Sequence, residues 1–239
     1  MSPTFDFTLK HFGLNHLQSS MKVSTDSILL GSLCDCNDSK FVLDIGTGCG
    51  ILALMIAQKS EANIVAIDID SSSIKEASFN FCHSPWGDRI TAKEQNLSEF
   101  TNQTITKFDL IITNPPYFDE KTTSPNAQRN QARNEQSLSF EELIKSVKQL
   151  LSEDGSFWII LPPTQFQKFA FEATSSLLRC YQRINISHNQ NEPPVLIVSH
   201  WKHIFPSQSH SIQTLYIFDS NHNYSIDFKE ITKDFYFDI

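Results

Sequence analysis

Short apolar strands and amphipathic helices alternate along the chain as far as about residue 185. The runs "FVLDIG", "NIVAIDID", "FDLIITN" and "SFWIILP" have the length and apolar character of buried strands. The segment "SFEELIKSVKQLLSEDG" has helical periodicity and is predicted to end at Gly155. This alternation predicts an α/β fold with a mostly parallel sheet and helices on both faces. Sheets of this kind bind ligands beyond the carboxyl ends of their strands.

The composition limits the functions that the chain can have. Its 239 residues suit one domain with small additions, and 40% of them are hydrophobic, enough for a sizeable core. The formal net charge of −8 argues against broad, nonspecific coating of nucleic acid but allows a local basic face. The sequence has neither a secretory signal nor an apolar run that could span a bilayer. We therefore expect a cytoplasmic location.

Five cysteines occur at irregular spacing. Cys34 and Cys36 form one C-x-C pair, without a second pair of Cys or His at the spacing of a zinc site. We therefore expect no bound metal. Reduced thiols fit a cytosolic protein.

A glycine-rich turn follows the first buried strand. The segment "DIGTGCG" places Gly46, Gly48 and Gly50 after Asp44, and glycines let a ligand approach the backbone closely. Asp68 ends the next strand, where a carboxylate can accept both hydroxyls of a ribose. The G-x-G-x-G spacing differs from the dinucleotide fingerprint G-x-G-x-x-G. Alone, such a turn can simply connect a strand to a helix, but followed by a helix, a strand and an acid it indicates a nucleoside-carrying ligand.

The segment "DLIITNPPYF" ends a buried strand with an amide, two prolines and two aromatic residues. Such residues also form ordinary turns. An exocyclic amine is a poor nucleophile because its lone pair is delocalised, and two acceptors aimed at its hydrogens favour a more nucleophilic nitrogen. The side chain of Asn114 and the carbonyl of Pro115 can be those acceptors, while Pro116 keeps the turn rigid. Tyr117 offers a flat face on which a base can stack.

Both segments resemble known methyltransferases. The glycine turn resembles the cofactor loop of class I S-adenosylmethionine-dependent methyltransferases, and N-P-P-Y resembles the signature of enzymes that methylate planar nitrogens of bases or glutamine amides. The resemblance implies a Rossmann-like domain with a seven-stranded sheet and S-adenosylmethionine as cofactor. It implies that Asp44 organises the loop near the methionine end of the cofactor. It places Asn96 and Leu97 against the adenine, although this superfamily often has Asp at the first position.

Five segments sharpen the resemblance. They are, in order, "MKVSTDSILLGS", "LDIGTGCGILALMIAQ", "SPWGDRI", "FDLIITNPPYF" and "QRNQAR". Together they resemble the bacterial tRNA1(Val) adenine-N6-methyltransferases, which modify the adenine just 3′ of the anticodon. The resemblance covers about residues 5 to 200 and implies that Lys22, Thr25 and Asp26 approach the cofactor site. Helix capping is an equal alternative for Thr25 and Asp26. We interpret Trp86 as a packing residue, with base stacking as the alternative.

A basic stretch follows N-P-P-Y after Phe118, Asp119 and Glu120. Residues 121–134 contain Lys121, Arg129 and Arg133 and no acidic residue. We interpret this stretch as a loop that contacts the phosphates of the tRNA anticodon stem-loop. A solvated loop without a special role is the alternative.

The expected organisation is a single, monomeric methyltransferase domain over residues 1–239. Residues 1–40 are expected to cover the site, residues 41–200 to form the catalytic core, and residues 201–239 to pack on that core as a C-terminal extension. The expected activity is S-adenosylmethionine-dependent N6-methylation of an adenine in tRNA.

Other functions stay open at this point. They are methylation of another RNA, of DNA adenine or of a release-factor glutamine, and non-catalytic binding of a nucleoside or RNA. Release-factor enzymes usually carry a helical domain before the glycine turn, but only 43 residues precede Asp44. A DNA enzyme normally needs a target-recognition module of a size that is not evident here. A non-catalytic binder would have no need of Asn114.

Overall fold

The computed structural model describes residues 4–19, 21–116, 138–203, 211–237 and 239. An antiparallel ribbon of two short strands, β1 (Phe7–Thr8) and β2 (Gly13–Leu14), comes first and is followed by helix α1 (Thr25–Leu33).

Eight strands form the central sheet. They are β3 (Phe41–Ile45), β4 (Asn63–Asp68), β5 (Ile90–Glu94), β6 (Phe108–Thr113), β7 (Leu151–Leu161), β8 (Arg179–Ser187), β9 (Leu196–Lys202) and β10 (Ser211–Tyr216). Their order is β10-β8-β9-β7-β6-β3-β4-β5, and only the pairs of β9 with β7 and with β8 are antiparallel. The prediction of a mostly parallel sheet is confirmed. The predicted strand number of seven is wrong because β10 pairs in parallel with β8 and adds an eighth strand at the edge.

Helices cover both faces of this sheet, as predicted. Besides α1 they are α2 (Ile51–Lys59), α3 (Ser71–Cys82), α4 (Leu97–Gln103), α5 (Phe140–Leu150), α6 (Pro163–Ser175) and α7 (Ile226–Thr232). One buried cluster includes Leu29 of α1, Leu54 of α2 and Phe228 of α7, and the other includes Val147 of α5 and Phe169 of α6. Within the described ranges, no helix has the length and apolar character needed to cross a membrane.

Two helix ends are set by single residues, and one of them differs from the sequence prediction. Helix α5 ends at Leu150, not at Gly155, because the buried Leu151 already pairs with Phe108 of β6 and begins β7. Helix α3 is capped by Asp70, whose carboxylate accepts the amides of residues 72 and 73 at 3.1 and 3.2 Å. Ser71 and Ser72 offer hydroxyls next to this position, but a carboxylate interacts more favourably with the positive end of a helix than a hydroxyl does.

The strand register brings three loops together at one edge of the sheet. Ile45 at the end of β3 pairs with Ile67 of β4 on one side and with Thr113 of β6 on the other. The glycine turn, Asp68 at the end of β4 and the N-P-P segment therefore lie next to one another. This edge is the candidate site.

Candidate active site

The turn after β3 has a left-handed backbone at three glycines. The φ angles of Gly46, Gly48 and Gly50 are +68°, +55° and +87°. A Cβ at Gly46 would meet no atom of the described residues within 4 Å, and a Cβ at Gly48 would meet only the Met21 carbonyl oxygen, at 3.9 Å. The space beside these two glycines can therefore admit a ligand.

Gly50 has a second, steric requirement. A Cβ there would lie 2.4 Å from Cε1 of the buried Phe81. We expect Gly50→Ala to lower the free energy of unfolding by about 2–5 kcal/mol, because the clash adds to the cost of the left-handed backbone. The matched control Gly46→Ala carries only the backbone cost and should lose about 1–2 kcal/mol. Urea unfolding measures both, and equal losses would show that the Phe81 contact is unimportant.

Asp68 is placed between the glycine turn and the start of α3. Its Oδ2 accepts the Gly48 amide at 2.9 Å, and its Oδ1 accepts the Asp70 amide at 2.9 Å. Burial raises the pKa of Asp68, while these two amides oppose the rise. Each carboxylate oxygen keeps a second lone pair, so the group can still accept hydroxyl donors from a ligand.

Asp44 is fully buried beneath the turn. Its Oδ2 accepts the hydroxyl of Thr47 at 2.6 Å, whereas its Oδ1 has no hydrogen-bond partner among the described residues. Burial raises the pKa of Asp44 to about 7, and the Thr47 hydroxyl and the nearby Ala53 amide only partly offset this effect. The Ala53 amide favours the anion without making a hydrogen bond of normal geometry to it. A buried acceptor without a donor is costly, so a cationic or hydrogen-bonding ligand would stabilise it.

The N-P-P segment lies directly beside this turn. The hydroxyl of Thr113 at the end of β6 donates to the Ile45 carbonyl at 2.8 Å and holds the two loops together. Asn114 is buried, and its Nδ2 donates to Oγ of Ser27 in α1 at 3.1 Å. The side-chain nitrogen of Asn114 thus faces α1, and the side-chain oxygen of Asn114 is directed away from α1. Pro115 is half-buried and Pro116 is exposed.

The N-terminal segment is tied to α3 next to the glycine turn. The side chain of Asn80 bonds both the amide and the carbonyl of Asn15, each at 2.8 Å, and also donates to the Cys49 carbonyl at 2.8 Å. Glu76 accepts the amides of Gln18 and Ser19 at 3.0 and 2.8 Å. These contacts hold residues 15–19 close to the glycine turn.

Three predicted residues lie where this segment meets α1. The cap of α1 is Ser24, whose Oγ accepts the Ser27 amide at 3.4 Å. Thr25 and Asp26 therefore do not cap this helix. Asp26 is half-buried, and its burial raises the pKa of the carboxyl group. Lys22 and Thr25 are exposed. Their contacts with a cofactor stay predictions.

Asn96 and Leu97 have structural roles here. Oδ1 of Asn96 accepts the Glu99 amide at 2.8 Å and caps α4, and Leu97 is buried in the core. Their contact with adenine stays a prediction. The interpretation of Trp86 as a packing residue is supported, because its ring meets Phe12 edge-on at 5.7 Å.

Four predicted residues, Tyr117, Lys121, Arg129 and Arg133, lie outside the described residues. Among the described residues, no group of three or more His, Cys, Asp or Glu side chains could hold a metal ion.

Sequence reasoning missed four residues of this region. Ser27 contacts Asn114, Glu76 and Asn80 hold the N-terminal segment, and Ile69 presents a side chain that is 52% exposed directly after Asp68. The sequence contained one indication of Glu76 and Asn80, because they are polar residues four positions apart and therefore lie on one face of α3. Ser27 gave none.

Comparison with known proteins identifies the family. The family model of the methyltransferase small domain matches residues 15–182. A tRNA1(Val) (adenine(37)-N6)-methyltransferase of Bacteroides fragilis is 36% identical over 99% of both chains. The enzyme of the same name from Phocaeicola vulgatus is 37% identical, over 96% of this chain and 97% of its own.

Solved structures share the fold at low sequence identity. A predicted O-methyltransferase of Agrobacterium tumefaciens has a TM-score of 0.67 at 16% identity, covering 88% of this chain and 96% of its own. A protein assigned as a methyltransferase, SMU.776, complexed with SAH, has a TM-score of 0.58 at 15% identity, covering 75% and 50%. The near-full-length relatives and the family model together show that the chain belongs to the tRNA1(Val) (adenine(37)-N6)-methyltransferase family.

Proposed function

We propose that the protein transfers a methyl group from S-adenosylmethionine to N6 of adenine 37 in tRNA1(Val). The observation that carries this proposal is the meeting of Asn114 with the glycine turn at one edge of the sheet. It is supported by relatives of nearly equal length that carry this activity in their names.

The residues of the glycine turn fit the cofactor. The open space beside Gly46 and Gly48 admits it. Oδ1 of Asp44, which has no hydrogen-bond partner within the described ranges, is suited to the positively charged methionine end. Asp68 is placed to accept the ribose hydroxyls, and the exposed Ile69 offers an apolar surface for the adenine. When bound, S-adenosylmethionine supplies an electrophilic methyl group. A fold neighbour complexed with SAH supports this assignment.

The N-P-P segment prepares the attacking nitrogen. The Asn114 side-chain oxygen and the Pro115 carbonyl accept the two N6 hydrogens, which concentrates the lone pair on nitrogen. That lone pair forms the new N–C bond while the C–S bond breaks and its electrons stay on sulfur. The resulting ammonium is acidic and loses its extra proton to water. A dedicated base is therefore unnecessary, and positioning supplies most of the rate enhancement.

The RNA is recognised by residues assigned from the sequence. Tyr117 stacks on the target base, and Lys121, Arg129 and Arg133 neutralise tRNA phosphates, with Lys22 contributing to a phosphate or to the cofactor carboxylate. Bases of an anticodon loop are only partly stacked, so extruding one costs little. The net charge of −8 implies modest affinity from a small number of contacts.

Stability and cofactor affinity are both expected to depend on pH through Asp44. Its pKa is about 7 in the folded protein and about 4 in an unfolded chain, so the folded protein alone holds the proton between these values. The free energy of unfolding should therefore fall as pH rises from about 4 to 7.

A cationic ligand favours the anionic form of Asp44, so S-adenosylmethionine should release a proton on binding below pH 7. Calorimetry in buffers of different ionisation enthalpy measures this release. Asp44→Asn should abolish it, and equal release by that variant would remove Asp44 from the cofactor site.

The proposed function is tested with unmodified tRNA1(Val) transcripts. The protein and S-adenosylmethionine should produce N6-methyladenosine at position 37, which nucleoside mass spectrometry of mapped fragments detects. A transcript with guanosine at that position is the control and should stay unmodified. Methylation of another base, or of a protein glutamine instead of the RNA, would refute the assigned substrate.

A further inference from the structure

The segment "MKVSTDSILLGS" precedes the sheet, and Lys22 is the one residue in it to which the proposed function assigns a role. It nevertheless places one hydroxyl, that of Ser27, against the Asn114 amide, 87 positions later in the chain. We infer that Ser27 is a positioning residue, which orients Asn114 so that its carbonyl oxygen, and not its NH2 group, faces the substrate amine. This inference rests on the proposed function.

The orientation of the Asn114 amide decides whether it can act. An asparagine side chain has an acceptor at one corner and two donors at the other, and it can turn over by rotation about one bond. The target amine is itself a donor. In the reversed orientation two donors would face each other, so the hydrogen bond that activates the amine would be replaced by repulsion.

The structure has the productive one of these orientations, with Ser27 as the partner of the amide nitrogen. Its Oγ accepts Nδ2 of Asn114 at 3.1 Å, and the two residues are 6% and 7% exposed, which keeps water from substituting for either group. In the reversed orientation the hydroxyl would have to donate to the Asn114 oxygen instead. That oxygen would then be directed at α1 and lost to the substrate.

The hydroxyl is held on a rigid support. Ser27 lies in the first turn of α1, whose cap is Ser24, and the next residues, Ile28 and Leu29, are fully buried in the core. The amide of Val23 before the cap donates to Nδ1 of His16 at 3.0 Å. The N-terminal segment therefore fixes the place of Ser27 relative to β6, and second contacts of this kind determine how precisely a reactive group is aimed.

The first test measures binding without chemistry. Two anticodon stem-loops of tRNA1(Val) carry adenosine or purine riboside, which lacks the amine, at position 37, and SAH replaces the methyl donor. Fluorescence anisotropy of labelled stem-loops gives both affinities. The wild type should prefer adenosine by about tenfold. Ser27→Ala should reduce this preference to about twofold or less, because the amide oxygen then faces the amine only part of the time.

The matched control is Ser32→Ala in the same helix. The Ser32 hydroxyl is buried and has no hydrogen-bond partner in the described part of the chain, so its removal should leave the preference intact. If Ser27→Ala does not fold, as judged by thermal unfolding, Ser27→Thr and Ser27→Val give the same comparison at nearly equal volume. The threonine variant should keep the preference for adenosine and the valine variant should lose it.

The second test separates orientation from general structure. In the wild-type background, Ser27→Ala should lower kcat by about 10- to 100-fold. In the Asn114→Asp background it should change kcat by less than about threefold, because a carboxylate presents an oxygen to the amine in both orientations. Equal losses in both backgrounds would mean a structural role only and would overturn the inference, as would an unchanged preference and kcat in Ser27→Ala. If the wild type shows neither preference nor methyl transfer, the proposed function fails and the inference falls with it.

Discussion

Replacing Asn114 with alanine is expected to reduce kcat for methyl transfer by about 10²–10³-fold, the usual cost of removing one preorganised group that stabilises charge in a transition state. The affinity for S-adenosylmethionine should stay within about twofold, because the side chain is assigned to the amine and not to the cofactor. Single-turnover transfer of a labelled methyl group to tRNA measures the rate, and calorimetry measures the affinity.

The control for this variant is Asn102→Ala, an exposed asparagine in α4. It should transfer methyl groups at the wild-type rate. A near-normal rate in Asn114→Ala would contradict the mechanism directly. A large loss of cofactor affinity in the same variant would instead place Asn114 in the cofactor pocket and require a different acceptor for the amine.

Replacing Asp68 with alanine is expected to weaken S-adenosylmethionine binding by about 10- to 100-fold. Hydrogen bonds to a charged acceptor contribute about 1.5–3 kcal/mol, and the variant loses those to the ribose hydroxyls. It also leaves the Gly48 amide without its acceptor and loosens the glycine turn. Both effects act on binding, so kcat at saturating cofactor should change far less than the affinity.

Asp70→Ala is the matched control, since it removes a carboxylate two residues away. That carboxylate caps α3 through residues 72 and 73 and is assigned no cofactor contact. The variant should lose about 1 kcal/mol of stability. Its cofactor affinity should nevertheless stay within about threefold of the wild type. If calorimetry gave equal affinities for Asp68→Ala and the wild type, the ribose assignment would be wrong.

The residues at the ends of the strands were predictable because sheet geometry and sequence pattern agree. Apolar runs mark β3, β4 and β6, and parallel strands end at the same edge, so Asp44, Asp68 and Asn114 had to be close. The glycine spacing likewise indicated a turn, and the structure adds that all three glycines have left-handed φ angles. At this edge of the sheet, the sequence pattern and the pairing of the strands therefore indicate the same site.

The supporting contacts were not predictable, because each depends on how distant segments pack. Ser27 reads as one more polar residue at the start of a helix, and nothing local shows that it meets Asn114. Glu76 and Asn80 bond the backbone of an N-terminal segment that has no periodic pattern. Similarly, Leu150 continues an amphipathic helix in sequence, but pairing of the next residue with β6 ends that helix early.

The most direct measurement is a crystal structure of the protein with SAH and an anticodon stem-loop of tRNA1(Val). We predict that N6 of adenine 37 lies within hydrogen-bonding distance of the Asn114 side-chain oxygen and the Pro115 carbonyl. We predict also that the sulfur of SAH lies beyond it, on the side of the glycine turn, in line for transfer. An Asn114 amide that faces away from the base, or an edge of the sheet with no room for a base beside the sulfur, would contradict the account.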